Sequence, residues 1–239
     1  MKKFIIIPAR LESSRLPKKL IKRIGKFTLI EHMILSAKKI RDANLIVSTD
    51  SKLIQDYADK HEVKSLYTKR KFLNGTERCF YTARKYKAKS NDIVVNLQAD
   101  EFKINIKYIQ RLIEIIRKFK SKPVATLVYK TRNKSEYLNK NNVKVIIDKN
   151  TNATTFTRKN ISISKEYYLI HIGVYAFRFH MLKTFVTLGP CEYEKQESLE
   201  QLRMIWNNIP IHCEQVNNNK SIGINTASDL RRARELYDN

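Results

Sequence analysis

The first half of the chain alternates short apolar runs with longer segments that carry apolar residues at helical spacing. Apolar runs rich in β-branched residues predict buried strands, and the predicted strands cover 4–7, 45–50, 63–67 and 93–98. Apolar residues at i, i+3 and i+4 predict helices over 29–37, 53–58, 75–86 and 109–116. This alternation predicts an α/β fold with a mostly parallel, doubly wound sheet.

The pattern changes near residue 123. Apolar runs at 124–129, 143–148, 153–158 and 171–177 follow one another without long helices between them, and they predict an antiparallel or mixed β extension. Helical spacing returns over 195–206 and 226–237. We therefore predict a single domain over 1–239, in which 1–123 and 181–239 form the core and 124–180 forms the mixed β region.

Composition restricts the class of protein further. Five glycines and five prolines in 239 residues leave no linker or low-complexity segment. The apolar run that follows the first two lysines is too short for a signal peptide. No apolar run in the sequence approaches the ~18 residues of a membrane span. Cys79, Cys191 and Cys213 are odd in number and lack metal-binding spacing, which favours reduced thiols. We therefore expect a cytoplasmic protein without membrane insertion.

The net charge of +24 is the most misleading feature of the composition. Charge alone permits a nucleic-acid-binding protein. Lysines, however, occur on nearly every predicted surface segment, and the aromatic-interleaved basic motifs of RNA-binding modules are missing. We expect no nucleic-acid partner, and a positive field that draws small anionic substrates toward the protein.

A basic loop follows the first predicted strand. The segment 8–19 carries four cations, Arg10, Arg15, Lys18 and Lys19, together with hydroxyls such as Ser14. Open α/β sheets bind ligands at the carboxyl ends of their strands, and guanidinium and ammonium groups there suit a polyphosphate. The loop is not a P-loop, because no glycine precedes Gly25. A solvated basic loop is the alternative interpretation.

An acidic residue follows the most apolar predicted strand. Asp100 comes after the run 93–98 and would face the same sheet edge as the basic loop. A carboxylate at that edge suits Mg²⁺ that is also bound by phosphate oxygens. An aspartate at a strand end also caps the next helix in many proteins. The local sequence leaves both roles open.

The spacing Pro-Ala-Arg-x-x-Ser-Ser-Arg-Leu-Pro-x-Lys resembles the signature of nucleotide-sugar pyrophosphorylases, and most closely that of the CMP-Kdo synthetase family. These enzymes are 3-deoxy-manno-octulosonate (Kdo) cytidylyltransferases of lipopolysaccharide synthesis. Further blocks at 68–78, 96–101, 156–158, 171–175, 194–203 and 223–230 are similar to the family in order along nearly the whole chain. The resemblance implies a Rossmann-like nucleotide-diphospho-sugar transferase fold and a homodimer. It also implies Mg²⁺ as the cofactor, with CTP and an acidic 2-keto sugar as the substrates.

The resemblance also implies roles for individual residues. Residues implied in CTP binding are Pro8, Ala9, Arg10, Leu11, Ser14, Arg15, Lys19, Lys69, Asn74, Gly75 and Arg78. Residues implied in sugar binding are Gln98, Arg158, His171, Tyr175, Glu197, Glu200 and Gln201. Arg10, Arg15, Lys19 and Asp100 are the implied catalytic residues, and Asp100 and Asn225 the implied metal ligands. Period-two geometry puts His171 and Tyr175 on one face of a strand, and helical spacing puts Glu197, Glu200 and Gln201 on one face of a helix.

Departures from the family pattern keep other interpretations open. Asn225 stands where the family has its second metal-binding aspartate, and it would also make a good N-cap for the final helix. Ala99, Lys69 and Ser162 are further departures. Together they allow a catalytically weakened paralogue that binds CTP or sugar. The sequence also leaves open 8-amino-Kdo or a nonulosonate as the sugar acid.

Overall fold

A computed structural model describes residues 1–161, 166–217 and 219–238. The departure at Ser162 lies outside the described residues. The strands are β1 (Lys3–Ala9), β2 (Arg23–Ile24), β3 (Phe27–Thr28), β4 (Asn44–Thr49), β5 (Lys64–Tyr67), β6 (Ile93–Leu97), β7 (Glu101–Phe102), β8 (Val124–Thr131), β9 (Lys144–Ile147), β10 (Ala153–Thr157), β11 (Tyr168–Arg178), β12 (His212–Val216) and β13 (Ile222–Gly223). The α-helices are α1 (Leu29–Ala37), α2 (Lys52–Lys60), α3 (Gly75–Lys85), α4 (Ile106–Lys118), α5 (Lys134–Leu138), α6 (Phe179–Leu188), α7 (Glu192–Glu197), α8 (Leu202–Trp206) and α9 (Ala227–Asp238), and a short 3₁₀ helix spans Lys19–Ile21.

The amino-terminal half forms the parallel part of the main sheet, in the order β5-β4-β1-β6. The sequence indicates that the first strand ends at Pro8. In the structure, β1 continues through Pro8 to Ala9. Pairing of β1 with β6 stops at Ile6, so the missing N–H of Pro8 interrupts no bond on that side. The predicted mostly parallel sheet is confirmed.

Helices cover both faces of this sheet, as a doubly wound fold requires. Ile5 and Ile7 pack in a buried cluster with residues of α1, α2, α4 and α9. Phe4 and Ile6 point to the other face, into a cluster with residues of α3, α6 and α8. Strands that are buried on both faces need apolar residues at consecutive positions, which explains the continuous run at the start of the chain.

The β extension is continuous with the parallel part. Strand β11 runs antiparallel to β6 on one side and to β8 on the other, and β12 then joins β8 in parallel. The amino-terminal end of β11 pairs with β9, whose other neighbour is β10. A bridge between Asn152 and His212 brings the start of β10 to the start of β12. The first half of β11 therefore reaches the sheet edge where β1 and β6 end.

The helix that the sequence predicts over 195–206 is two helices. Ser198 adopts the left-handed conformation (φ 52°) between α7 and α8, and the Leu199 amide closes the end of α7 by donating to the Glu194 carbonyl at 3.2 Å. Glu197 therefore does not share a helix face with Glu200 and Gln201, which corrects that expectation. None of the helices in the described ranges is long and apolar enough to cross a membrane.

Candidate active site

A cleft of about 1270 Å³ opens at the edge of the sheet where β1 and β6 end. Its walls come from the 10–19 loop, the start of α3, the first half of β11 and the segment that precedes α9. The predicted site residues that line it are Pro8, Arg10, Ser14, Arg15, Lys19, Asn74, Gly75, Arg78, Gln98, Asp100, Arg158, His171, Tyr175, Glu200, Gln201 and Asn225. The fold thus collects residues from both ends of the chain at one site.

Four predicted residues do not line the cleft. Ala9 is buried in β1, and the Leu11 amide already donates to the Asp50 carboxylate at 3.1 Å. Lys69 is exposed outside the cleft. Glu197 lies behind it, where Lys159 approaches its carboxylate at 3.0 Å. These four side chains lie outside the cleft, and the binding roles implied for the four residues stay predictions.

Lys19 and Asp100 meet in the centre of the cleft. The Lys19 ammonium donates to the Asp100 carboxylate at 2.5 Å and to the Ile224 carbonyl at 3.1 Å, and it lies 3.5 Å from the Asn225 side-chain oxygen. Asp100 lies in the turn between β6 and β7, and Lys19 is the first residue of the 3₁₀ helix. Two of the predicted catalytic residues are thus in direct contact.

Asn225 reaches this centre because of a very short strand pair. The two-residue strands β7 and β13 pair antiparallel, and the Ile224 amide donates to the Asp100 carbonyl at 2.9 Å. The cap of α9 is Thr226, not Asn225: its hydroxyl accepts from the Asp229 amide at 3.2 Å, while the Asp229 carboxylate accepts from the Thr226 amide at 2.8 Å. The capping role considered for Asn225 is therefore wrong.

Arg15 and Arg158 define a strongly basic wall. Arg15 donates to the side-chain oxygens of Asn225 at 2.8 Å and of Asn141 at 3.3 Å. Arg158 donates to the backbone carbonyl of Asn141 at 3.0 Å. Burial, together with the nearby charge of Arg15, lowers the pKa of Arg158. Two guanidinium groups share this wall, and such an arrangement suits an anion with several oxygens.

The opposite wall carries donors that have no partner. Asn74 caps α3 through its side-chain oxygen, which accepts from the Glu77 amide at 2.9 Å. Arg78 donates to Asp50 at 3.1 Å, and its guanidinium stacks on the Phe72 ring at 4.8 Å. The remaining Asn74 Nδ2 and Arg78 Nη1 atoms are buried and make no hydrogen bond in the part of the chain that the structure describes. Both belong to cleft residues, so they can bind a ligand with acceptor atoms.

Several polar side chains of half-buried and buried residues form the floor. Burial, with a smaller effect of Asp100, raises the pKa of Glu101 to about 7, and burial likewise raises the pKa of Glu200 to about 7. Burial and the charge of Arg158 lower the pKa of His171 to about 3, so this imidazole is neutral near neutral pH. His171 lies 2.8 Å from the Thr126 hydroxyl, and the buried Tyr175 hydroxyl has no hydrogen-bond partner among the described residues.

Sequence reasoning missed three contributors to the site. Asp50 directly follows β4 and fixes Arg78, and an aspartate after a strand at the same sheet edge was a usable signal. Glu101 accepts from the Gly173 amide at 2.8 Å and fixes β11 against the Asp100 turn. The 139–142 loop lines the cleft through Asn139, Asn141 and Asn142, and its polar sequence resembles that of any surface loop.

The donor atoms around Lys19 fit the Mg²⁺ that the resemblance implies. A carboxylate, an amide oxygen and a backbone carbonyl already lie around one cationic group, and Mg²⁺ prefers such oxygen ligands. Over the described ranges, no group of three or more His, Cys, Asp or Glu side chains could hold a metal ion. The protein can therefore supply Asp100 and Asn225, with the remaining ligands coming from a substrate phosphate or water.

The fold and site together are those of a nucleotide-binding transferase: a parallel sheet edge that carries a basic loop beside the Asp100 carboxylate. The cytidylyltransferase family model matches residues 4–216, and the chain belongs to this family. The resemblance stated from the sequence is thereby confirmed.

Individual relatives agree with this assignment. The 3-deoxy-manno-octulosonate cytidylyltransferase of Francisella tularensis subsp. holarctica (strain FTNF002-00 / FTA) is 34% identical over 98% of both chains. The enzyme of the same description from Polynucleobacter asymbioticus is 33% identical over 98% of this chain and 95% of its own. The solved structure of CMP:2-keto-3-deoxy-manno-octonic acid synthetase complexed with CTP has a TM-score of 0.89 and 30% identity, and the match covers 100% of this chain and 99% of that one.

Proposed function

We propose that the protein transfers the cytidylyl group of CTP to the anomeric hydroxyl of Kdo, giving CMP-Kdo and pyrophosphate. The hydroxyl oxygen forms a bond to the α-phosphorus, the bond from that phosphorus to the β-phosphate bridging oxygen breaks, and the hydroxyl proton passes to solvent. The observation that carries the proposal is the meeting of the 10–19 loop with Asp100 and Asn225 in one cleft. Relatives named for this activity match nearly the whole chain, which supports it further.

The basic loop acts on the phosphates. Arg10, Arg15 and Lys19 line the cleft and would hold the triphosphate against the sheet edge. Charge grows on the leaving pyrophosphate as the bond breaks, and preorganised cations stabilise that charge at no further cost in reorganisation. Transfers of this kind depend mainly on positioning and charge neutralisation, so a strong side-chain base is not required.

The unpartnered donors act on the base. Cytosine presents a carbonyl oxygen and a ring nitrogen as neighbouring acceptors. Asn74 Nδ2 and Arg78 Nη1 are buried donors without partners, and a nucleobase placed between them would satisfy both. Gly75 lets the start of α3 pack close to β1 and Gln98, since a Cβ there would lie only 3.2 Å from the Gln98 side chain and 3.3 Å from the Pro8 ring.

The opposite side would hold the sugar acid. Arg158 offers a guanidinium to the carboxylate, while Gln98, His171, Tyr175, Glu200 and Gln201 offer polar atoms to the hydroxyls. His171 is neutral near neutral pH, so it serves as a hydrogen-bonding group and not as a charge. When bound through Asp100 and Asn225, Mg²⁺ would neutralise phosphate charge and lower the pKa of the sugar hydroxyl.

A pyrophosphate-release panel tests the proposal. CTP and UTP are each incubated with Kdo, 8-amino-Kdo and a nonulosonate. We expect release with CTP and Kdo, and a loss of turnover of about a hundredfold or more in Arg15→Ala, because the leaving group loses a charge contact. Arg117→Ala, on the exposed face of α4, is the matched control and should keep wild-type turnover. Near-normal activity of Arg15→Ala would exclude this role for the loop.

The neutral Asn225 keeps a second candidate open, a weakened paralogue that binds CTP and sugar but hardly turns them over. Tight CTP binding by the wild-type protein without Mg²⁺-dependent pyrophosphate release would favour it. The dimer that the resemblance implies, and a cytoplasmic location, also belong to the proposal. Analytical ultracentrifugation tests the first, and fractionation of the source cells tests the second.

A further inference from the structure

A buried lysine lies directly behind the basic wall of the cleft. Lys144 begins β9 and is only 2% exposed. Its ammonium donates to the backbone carbonyls of Asn139 at 3.0 Å and Arg158 at 3.1 Å, and it lies 5.5 Å from the centre of the Tyr137 ring. Over the described ranges, no carboxylate pairs with it. Burying a cation without a counter-ion costs folding free energy, so we expect the contacts of Lys144 to serve a function that offsets this cost.

The two carbonyls belong to the segments that carry the sugar side of the site. Asn139 begins the 139–142 loop, and Arg158 follows β10. From the front, Arg158 donates to the carbonyls of Lys140 at 3.4 Å and Asn141 at 3.0 Å, and Arg15 donates to the Asn141 side chain. The same loop is thus fastened by an ammonium at its rear and by two guanidinium groups at its front.

Positive charge accumulates at this place. Burial is the main cause that lowers the pKa of Arg158 and of Lys144; the nearby charge of Arg15 adds to the first shift and that of Arg158 to the second. Glu197 is the carboxylate that offsets Arg158, and it contacts the Arg158 backbone amide at 3.4 Å behind the cleft. An anion bound at the front would relieve the mutual repulsion of the three cations.

We propose that Lys144 is a positioning residue for the acidic sugar: it locks the 139–142 loop to the end of β10 and so sets the spacing between Arg158 and Asn141 that the sugar acid meets. The inference rests on the proposed function and adds a residue that does not line the cleft itself. The base of CTP would be held by Asn74 and Arg78, which contact neither Lys144 nor the 139–142 loop among the described residues. Arg15, which would hold the triphosphate, is also fixed by Asn225 at 2.8 Å, so its position does not depend on this loop alone.

The test is a comparison of steady-state constants for Lys144→Met with the wild type. We expect KM for Kdo to rise about tenfold, with KM for CTP within about twofold of the wild-type value, because only sugar positioning is lost. Lys130→Met is the matched control: Lys130 lies over the Tyr167 ring at 3.9 Å on the same β extension and should leave both constants unchanged. A purely structural role would lower the melting temperature and the active fraction while leaving both KM values alone.

Should Lys144→Met not fold, the comparison is made with Lys144→Arg, whose bulkier head group must displace the loop; KM for Kdo should then rise at least about threefold. Unchanged KM for Kdo in an active variant overturns the inference alone, and so does failure of both variants to fold. A wild-type protein inactive with every sugar acid overturns the proposed function and this inference with it.

Discussion

At the scale of single residues, Asn225 has the largest consequence for the chemistry. Its amide oxygen accepts from Arg15 at 2.8 Å and lies 3.5 Å from the Lys19 ammonium, beside Asp100. The resemblance puts a carboxylate here. With a neutral amide, the Coulomb attraction of the protein for a divalent cation at this place comes mainly from Asp100.

Asn225→Asp should therefore lower the Mg²⁺ concentration that gives half-maximal pyrophosphate release, because it adds a negative charge at ligand distance. A Mg²⁺ titration of both proteins measures the shift. Asn141→Asp is the matched control: it places the same new charge next to Arg15, on the side that faces the 139–142 loop. Equal midpoints for Asn225→Asp and the wild type would remove Asn225 from the metal site.

Glu200 should make stability depend on pH. Burial raises its pKa to about 7, so the folded state binds a proton more tightly than the unfolded chain does. The free energy of unfolding should then fall as pH rises from about 4.5 through about 7, and stay lower above that range. In Glu200→Gln this decrease should be smaller, since Gln still accepts from the Thr76 hydroxyl. Urea unfolding of both proteins across this range checks the expectation, and a pH-independent difference between them contradicts it.

At the scale of elements, the break at Ser198 is stabilised by a buried ion pair. Arg203 of α8 is fully buried and donates twice to the Glu194 carboxylate of α7, each time at 2.7 Å. Its guanidinium also stacks on the Phe185 ring of α6 at 4.1 Å. This pair holds the two short helices together and thereby fixes Glu200 on the floor of the cleft.

Arg203→Met should lower the free energy of unfolding by about 3–5 kcal/mol, because Glu194 would be left buried without its partner. Arg117→Met, which breaks the exposed pair with Glu114 on α4, should cost less than about 1 kcal/mol. Chemical denaturation of the three proteins gives both values. Equal losses in the two variants would show that the buried pair does not hold α7 to α8.

The same elements show how far the sequence could predict the structure. The parallel strands and their helices follow from apolar periodicity, and the basic loop and Asp100 follow from the rule that sheet edges bind ligands. The break at Ser198 was hidden, because no glycine or proline interrupts 195–206 and Leu199 and Leu202 keep helical spacing directly after it. The position of Asn225 depends on the two-residue pairing of β7 with β13, and so short a pair leaves no periodic signal.

Among the polar side chains in and behind the cleft, the sequence could predict some roles and not others. Arg15 and Lys19 could be predicted because cations at a strand end are unusual enough to indicate a ligand. Lys144 and Asn141 could not, since their roles arise from contacts with carbonyls and guanidinium groups that are distant along the chain. Lysine and asparagine are also abundant here, so neither residue type was informative by itself.

At the scale of the whole molecule, the charge of +24 agrees with the proposed substrates. CTP and a sugar acid are both anions, and a positive field concentrates them near a cleft that is itself lined with cations. In the proposed reaction, the unpartnered donors of Asn74 and Arg78 would bind the base, Arg15 the triphosphate and Arg158 the sugar acid.

The most direct test of this account is to identify the product. Phosphorus NMR of a reaction with CTP, Kdo and Mg²⁺ should show the triphosphate signals replaced by pyrophosphate and a single phosphodiester signal, in equal molar amounts. The diester should be absent when Kdo is omitted. Unchanged CTP, or its conversion to CDP and phosphate without a diester, would contradict the transfer of a cytidylyl group by this cleft.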